Sequence, residues 1–206
     1  MATLSSAVQG TTDMIRRRVV LKGICPIMFD RYPGDNDTKL EAWQKLYLND
    51  LQERIVGLPS INIMSFLSAQ NTKSAPKRLL DARKYRKTAD ACLSFVMIEP
   101  MFIPFLRDGK VIKLGSKLDD GRPDSESGIY LHRSVARLED GIPNPKVRPV
   151  LPLPWSLEFQ LSIFPNREIQ ETQVANLMRE GGIALGLGTW RGVWGKFLVD
   201  VWEEIK

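Results

Sequence analysis

Ten residues in the last third of the chain constrain the fold more than any others. From Trp155 to Phe164 the order is WSLEFQLSIF, in which Trp155, Leu157, Phe159, Leu161 and Ile163 alternate with Ser156, Glu158, Gln160 and Ser162. Neighbouring side chains on a strand point to opposite faces, so a period of two over this length predicts a half-buried strand.

The other elements are read around that strand. RRRVVLKG, Arg16 to Gly23, predicts a first strand with Val19 and Leu21 toward a core and Arg18, Val20 and Lys22 on the other side. The stretch Cys25 to Asp37 is broken by Pro26, Pro33 and Gly34 and reads as a loop packed through Ile27, Met28 and Phe29. Trp43 to Leu48 reads as a short strand or hairpin arm. Ser60 is placed to cap a helix from Ile61, and Pro76 to start a second helix running to about Ala91. Cys92 to Ile98 is mostly apolar and reads as a central strand. Asn166 is placed to cap a helix through Arg179 that stops at Gly181-Gly182, after which Ile183–Leu187 and Lys196–Trp202 read as closing strands.

Between Glu99 and Pro154 the character changes: eight prolines and the run DDGRPDSESG mark an insertion, with strands expected near Val111–Leu114 and Ile129–Leu138. The order strand, helices, strand, insertion, strand, helix, strand predicts an α+β fold. Specifically, it predicts a ferredoxin-like (RRM-like) βαββαβ core carrying a large hairpin insertion at about 99–154.

Composition fits one domain over residues 15–206 behind a disordered polar tail, 1–14. The chain has 206 residues, 43% of them hydrophobic and 26% charged, which excludes a fibrous or wholly disordered protein. No apolar run reaches membrane-spanning length, and the N-terminus lacks the pattern of a secretory signal. Cys25 and Cys92 share no CxxC or histidine spacing, so no zinc site or disulfide is expected, nor any cofactor, and the chain is expected to work reduced in a cytoplasm.

The net charge is +5, and its placement matters more than its size. Lys73 to Asp90 holds seven cations against two anions, an excess equal to that of the whole chain. Lys77, Arg78, Arg83, Lys84, Arg86 and Lys87 belong to this run, and Arg16, Arg17, Arg18 and Lys22 form a second cluster. Charge so uneven suits a face that binds a polyanion, or simply a solvated helix face.

Three further features are candidates for chemistry. GLGTWRGVWG, Gly186 to Gly195, has four glycines in ten residues. Its backbone, Gly188 and Gly192 included, can form an anion nest, with Arg191 on a phosphate and Trp190 or Trp194 stacked on a base. It can equally be a hairpin whose tryptophans fill the core. Asp30, Asp35 and Asp37 are weak catalytic candidates as ligands for a divalent metal, although Asp35-Asn36-Asp37 by residue type favours a turn. His132 is the single histidine, and no partner for it can be named from the sequence.

Three strings resemble one family. GGIALGLGTWRGVWGKFLV resembles the glycine-rich end of RAMP-superfamily proteins, the RNA-binding subunits of CRISPR effector complexes. VVLKGICPIM looks like their first core strand and the loop after it, and GLPSINIMSFLSA resembles the helix that follows. The insertion is similar in position to the thumb of the small backbone-type subunit. Phage and mobile-element proteins that open on KGxxP and end glycine-rich look similar too.

The RAMP resemblance implies a thumb wedged into bound RNA and subunits stacked along it as a filament. Arg16, Arg17, Arg18, Lys22 and the Lys77–Lys87 face would then line the nucleic-acid groove. Asp30, Asp35 and Asp37 fall in the loop where RNA-cleaving members carry a catalytic aspartate, but most backbone subunits do not cleave. The expectation is therefore a sequence-independent binder of single-stranded RNA or DNA, with no membrane partner and more a binding protein than an enzyme. A phage structural or interaction protein is the alternative, and a metal-dependent ribonuclease the second.

Overall fold

The computed structural model describes residues 13–35, 37–50, 52–68, 84–116, 118, 121–137 and 143–205. In chain order its strands are β1 (Ile15–Gly23), β2 (Ile27–Met28), β3 (Gly57–Pro59), β4 (Val96–Glu99), β5 (Phe102–Arg107), β6 (Lys110–Val111), β7 (Tyr130–Arg137), β8 (Pro143–Leu151), β9 (Ser156–Ile163) and β10 (Phe197–Glu204). The helices are α1 (Ser60–Ser68), α2 (Tyr85–Phe95) and α3 (Glu171–Ala184), with one short 3-10 turn at Ala42–Lys45. The fold is α+β, and every strand pairing within its two sheets is antiparallel.

The alternating segment becomes β9, at the centre of the larger sheet. One edge of β9 pairs with β1 along its whole length, setting Val19 opposite Phe159 and Leu21 opposite Leu157, and β1 pairs in turn with β10. The other edge of β9 is shared: β4 pairs with Gln160–Ile163, and β5 with Ser156 and Leu157. Between them, at Pro100 and Met101, the chain leaves β9, and the first half of β5 pairs with β3. Gly57 permits that pairing, because a Cβ there would stand 2.3 Å from the Phe102 ring.

The three helices cover one face of this sheet, where Val19, Leu161, Ile98, Phe66, Val174, Met178 and Phe197 are buried. Burying side chains of this size contributes about 1.5–3 kcal/mol each. The smaller sheet, β2-β8-β7, packs its apolar side on the same core through Phe29, which meets Phe105 edge-on at 5.7 Å; Phe105 meets Trp155 in the same way at 5.6 Å. Its β7–β8 hairpin is fixed at the root by Arg107, whose guanidinium donates to the carbonyls of Ser127, Pro152 and Pro154 at 2.9, 3.4 and 3.2 Å. The preceding loop closes on buried Asp124, which accepts from the amides of Gly115, Ser116 and Ser127 and from both serine hydroxyls. Burial alone would raise the Asp124 pKa, but those hydrogen bonds together bring it down to about 2.

Several boundaries differ from expectation, each for a physical reason. Cys92–Phe95 is helical rather than extended, because Ala89, Ala91 and Cys92 bury at helical spacing, and the strand is only Val96–Glu99. Residues 69–83, where the second helix was expected to begin, lie outside the described residues, as does most of the expected tail. Of Trp43–Leu48, the first part belongs to the 3-10 turn Ala42–Lys45. Leu48 bridges Val56 antiparallel and the Gly57 amide donates to the Tyr47 carbonyl at 3.0 Å, so that end is the expected hairpin arm. Asn166 makes a turn with the amides of Glu168 and Ile169, whereas α3 starts later, capped reciprocally by Gln170 and Gln173. Gly181-Gly182 does not stop α3. Gly182 instead admits Phe197, whose ring a Cβ would approach to 2.6 Å, so Ile183–Ala184 remains helical.

Candidate nucleic-acid interface

On β1, alternation sends the four cations to different sides. Arg16, Arg18 and Lys22 are exposed on the uncovered face of the sheet. Arg18 reaches Glu158 at 2.6 Å and Glu203 at 3.4 Å, and Lys22 reaches Asp200 at 2.8 Å. The hydrogen bond to Glu158 leads the causes that raise the Arg18 pKa. Glu99, Glu158, Asp200 and Glu203 therefore interleave with these cations, and the face is mixed in sign. Arg17 points the other way, donating through Nε and Nη2 to both oxygens of Glu171 at 2.7 Å, where the Trp202 indole also donates at 2.8 Å. Each partner stabilises the charge of the other: the shared hydrogen bond raises the Arg17 pKa and lowers that of Glu171.

Lys84, Arg86 and Lys87 are exposed on and just before α2, with Lys87 lying 3.2 Å from Glu168. Lys77, Arg78 and Arg83 lie outside the described residues.

The glycine-rich segment is a backbone-packed joint with an exposed tip. A Cβ on Gly188 would stand 2.5 Å from the Met28 carbonyl, and one on Gly195 2.0 Å from that of Leu187. Both residues have positive φ, +77 and +70, which glycine adopts without strain. The amides of Leu187, Thr189, Gly192, Val193, Trp194 and Gly195 all donate to carbonyls of the protein, so few donors remain for an anion nest. Gly192 alone of these four glycines has nothing within 4 Å, and the neighbouring Trp190 is exposed. Arg191 is half-buried; burial lowers its pKa, and its Nε donates to the Gly188 carbonyl at 3.5 Å. Trp194 packs on His132 of β7 at 5.3 Å, which gives the single histidine a structural neighbour.

The three aspartates do not gather as a ligand set: Asp30 and Asp35 line one groove but each is engaged elsewhere, and Asp37 does not line it. Asp30 accepts from Arg148 Nε at 2.8 Å and has Lys45 Nζ at 3.6 Å. Asp35 closes a turn, accepting from the amides of Asp37 and Thr38 and from the Thr38 hydroxyl, and the Thr38 amide leads the bonds that hold its pKa below the usual value. Asp37 is exposed. Among the described residues no three His, Cys, Asp or Glu side chains gather as metal ligands.

That turn builds a site which the sequence reading passed over. It folds the loop after β2 back so that Arg31, Tyr32, Lys39 and Leu40 face Lys45 and residues 144–147 of β8 across a groove of 690 Å³. Four cations, Arg31, Lys39, Lys45 and Lys146, meet two carboxylates here. Lys45 is fixed by Asp30 and by donating to the Val147 carbonyl at 2.7 Å, whereas Arg31 and Lys39 are exposed and Tyr32 is 61% exposed. The available signal was RYPGDNDTK, in which cations and an aromatic flank the aspartates; its partner strand lies a hundred residues further on.

No family model matches the sequence, and no curated protein does. The structure nevertheless matches chains of solved structures. One is a chain of the Type III-B Cmr-beta bound to cognate target RNA, seen by cryo-electron microscopy, at a TM-score of 0.50 and 11% identity. The match covers 94% of this chain but only 61% of that one. At this identity the likeness is one of fold: this α+β arrangement is shared with a component of that RNA-bound complex.

Proposed function

We propose that this chain is a RAMP-type RNA-binding subunit that holds single-stranded RNA in the groove between the loop after β2 and strand β8 and assembles along it. The observation that carries this reading is the groove itself, where Arg31, Lys39, Lys45 and Lys146 outnumber Asp30 and Asp35 and share the lining with the exposed Tyr32. Cations neutralise phosphates and aromatic faces stack on bases of any identity, so this lining suits a strand held without sequence readout.

Topology supports the same reading. The path β10-β1-β9-β4, with helices between β1 and β4 and between β9 and β10, is the order a ferredoxin-like βαββαβ core requires. The β7–β8 hairpin is then an insertion between its second and third strands, in the position of a thumb. The matching Cmr-beta chain comes from a complex bound to RNA. Arg16, Lys84, Arg86, Lys87 and Trp190 are exposed but do not line this groove, Arg16 lying on the uncovered face of the large sheet and Lys84, Arg86 and Lys87 on its helical side.

The test is fluorescence anisotropy with a labelled 20-nucleotide oligouridine RNA across a salt series. Affinity should fall steeply with salt, the logarithmic slope changing by about 0.7 for each phosphate contact. Arg31→Ala, Lys39→Ala and Lys146→Ala together should weaken binding by at least about tenfold and flatten the slope by about 2. Unchanged affinity in that triple variant overturns the proposal. Assembly is read by light scattering, which should rise with longer RNA and collapse on ribonuclease treatment.

A further inference from the structure

A second space adjoins the groove at Leu40. Arg31 and Leu40 also form a wall of a second chamber of 300 Å³, completed by Trp43, Gln44, Leu48 and Asp50. The two spaces therefore share a boundary at Arg31 and Leu40, one rich in cations and the other lined by an indole ring. We infer that the second chamber is a subsite for a single unstacked nucleobase, whose own phosphate lies on Arg31. This rests on the RNA-binding reading and adds a defined ligand position to it.

Trp43 is held as a fixed platform. The guanidinium of Arg54 lies over its ring, 6.0 Å from the centroid, and its indole N–H donates to Glu41. Glu41 and Gln44 in turn cap the 3-10 turn reciprocally, the Glu41 amide donating to Gln44 Oε1 at 2.8 Å. An aromatic ring locked before binding loses little conformational freedom when a ligand stacks on it.

The neighbours select a nucleotide over an apolar side chain. A chamber for a leucine or phenylalanine of a partner protein needs no cation at its mouth, whereas a base is tethered through one sugar to a phosphate, and Arg31 stands where the two spaces meet. Gln44 and Asp50 add polar groups to a wall otherwise formed by Leu40 and Leu48. Gln44 Oε1 already accepts from the Glu41 amide and Asp50 Oδ1 from the amides of Gln52 and Glu53, which leaves the Gln44 amide nitrogen for the edge of a flat ring. Stacking is tolerant of base identity, so the subsite adds affinity and position without a sequence code.

The test uses the full chain and a 20-nucleotide RNA carrying one 2-aminopurine, whose emission is quenched on stacking. The unaltered protein should quench it, and Trp43→Leu should relieve the quenching and weaken binding about tenfold. Trp43→Phe should restore part of both. A second measurement needs no variant: RNA substituted with 4-thiouridine, photocrosslinked to the unaltered protein, should label the peptide that contains Trp43. If RNA binds but crosslinks map only to other peptides, the subsite is overturned and the RNA-binding reading stands. If no RNA binds, both fall. If Trp43→Leu abolishes light-scattering growth while RNA affinity is unchanged, the chamber takes a neighbouring protein instead, and the inference is overturned.

Discussion

Asp30 and Arg148 are 118 positions apart and meet through one hydrogen bond of 2.8 Å, which ties the loop after β2 to the middle of β8. The Arg148 side chain is only 11% exposed, so it depends on that carboxylate and on a longer contact of 3.4 Å to the Ser134 hydroxyl. Asp30→Ala should lower stability by about 1–3 kcal/mol, read as a fall in the urea midpoint with an unchanged slope. RNA incubated with magnesium should stay intact with either protein. Cleavage by the unaltered chain that Asp30→Ala abolishes would restore the ribonuclease alternative.

Arg17 offers a contrast with the groove cations. Its guanidinium grips Glu171 at the start of α3, on the covered side of the sheet. Arg17→Ala should destabilise the fold by about 2 kcal/mol, because Glu171 loses a bidentate partner. RNA affinity of the folded variant should match that of the unaltered chain. A selective loss of affinity at unchanged melting temperature would place Arg17 on the ligand after all.

Asp124 sets an acid limit. Its pKa in the fold, about 2, lies below the ordinary carboxylate value near 3.8 found when the chain is unfolded. As pH falls through that window the unfolded chain takes up the proton first, so stability is lost; above about pH 5 the contribution is complete. Asp35 and Glu171 are shifted in the same direction and add to the loss. Melting temperatures should therefore drop between pH 5 and pH 2.5, and Asp124→Asn should show a lower melting temperature at pH 7 with a shallower drop below pH 5. Parallel curves for the two proteins would show that this carboxylate is not the controlling group.

What could be read from the sequence follows from range. The alternation that defines β9 is local, and so is the inward and outward ordering of β1, and both are visible in a few residues. Gly182 looked like a helix stop because the reason for it, the ring of Phe197, arrives fifteen residues later. The groove was hidden for the same reason on a larger scale: Arg31 and Lys39 gain their meaning only from Lys146, which the β8 register brings opposite them. The glycine-rich run drew attention as an anion nest, yet the carbonyls that take its amides include those of Pro26 and Met28, distant in sequence.

Arg107 anchors three carbonyls around the base of the β7–β8 hairpin, and its own strand is hydrogen-bonded to β9. The hairpin is thus bolted to the central beam of the sheet and cannot pivot at its root without breaking that bolt. Any load on the hairpin passes through that bolt into the strand that carries β1 and β4.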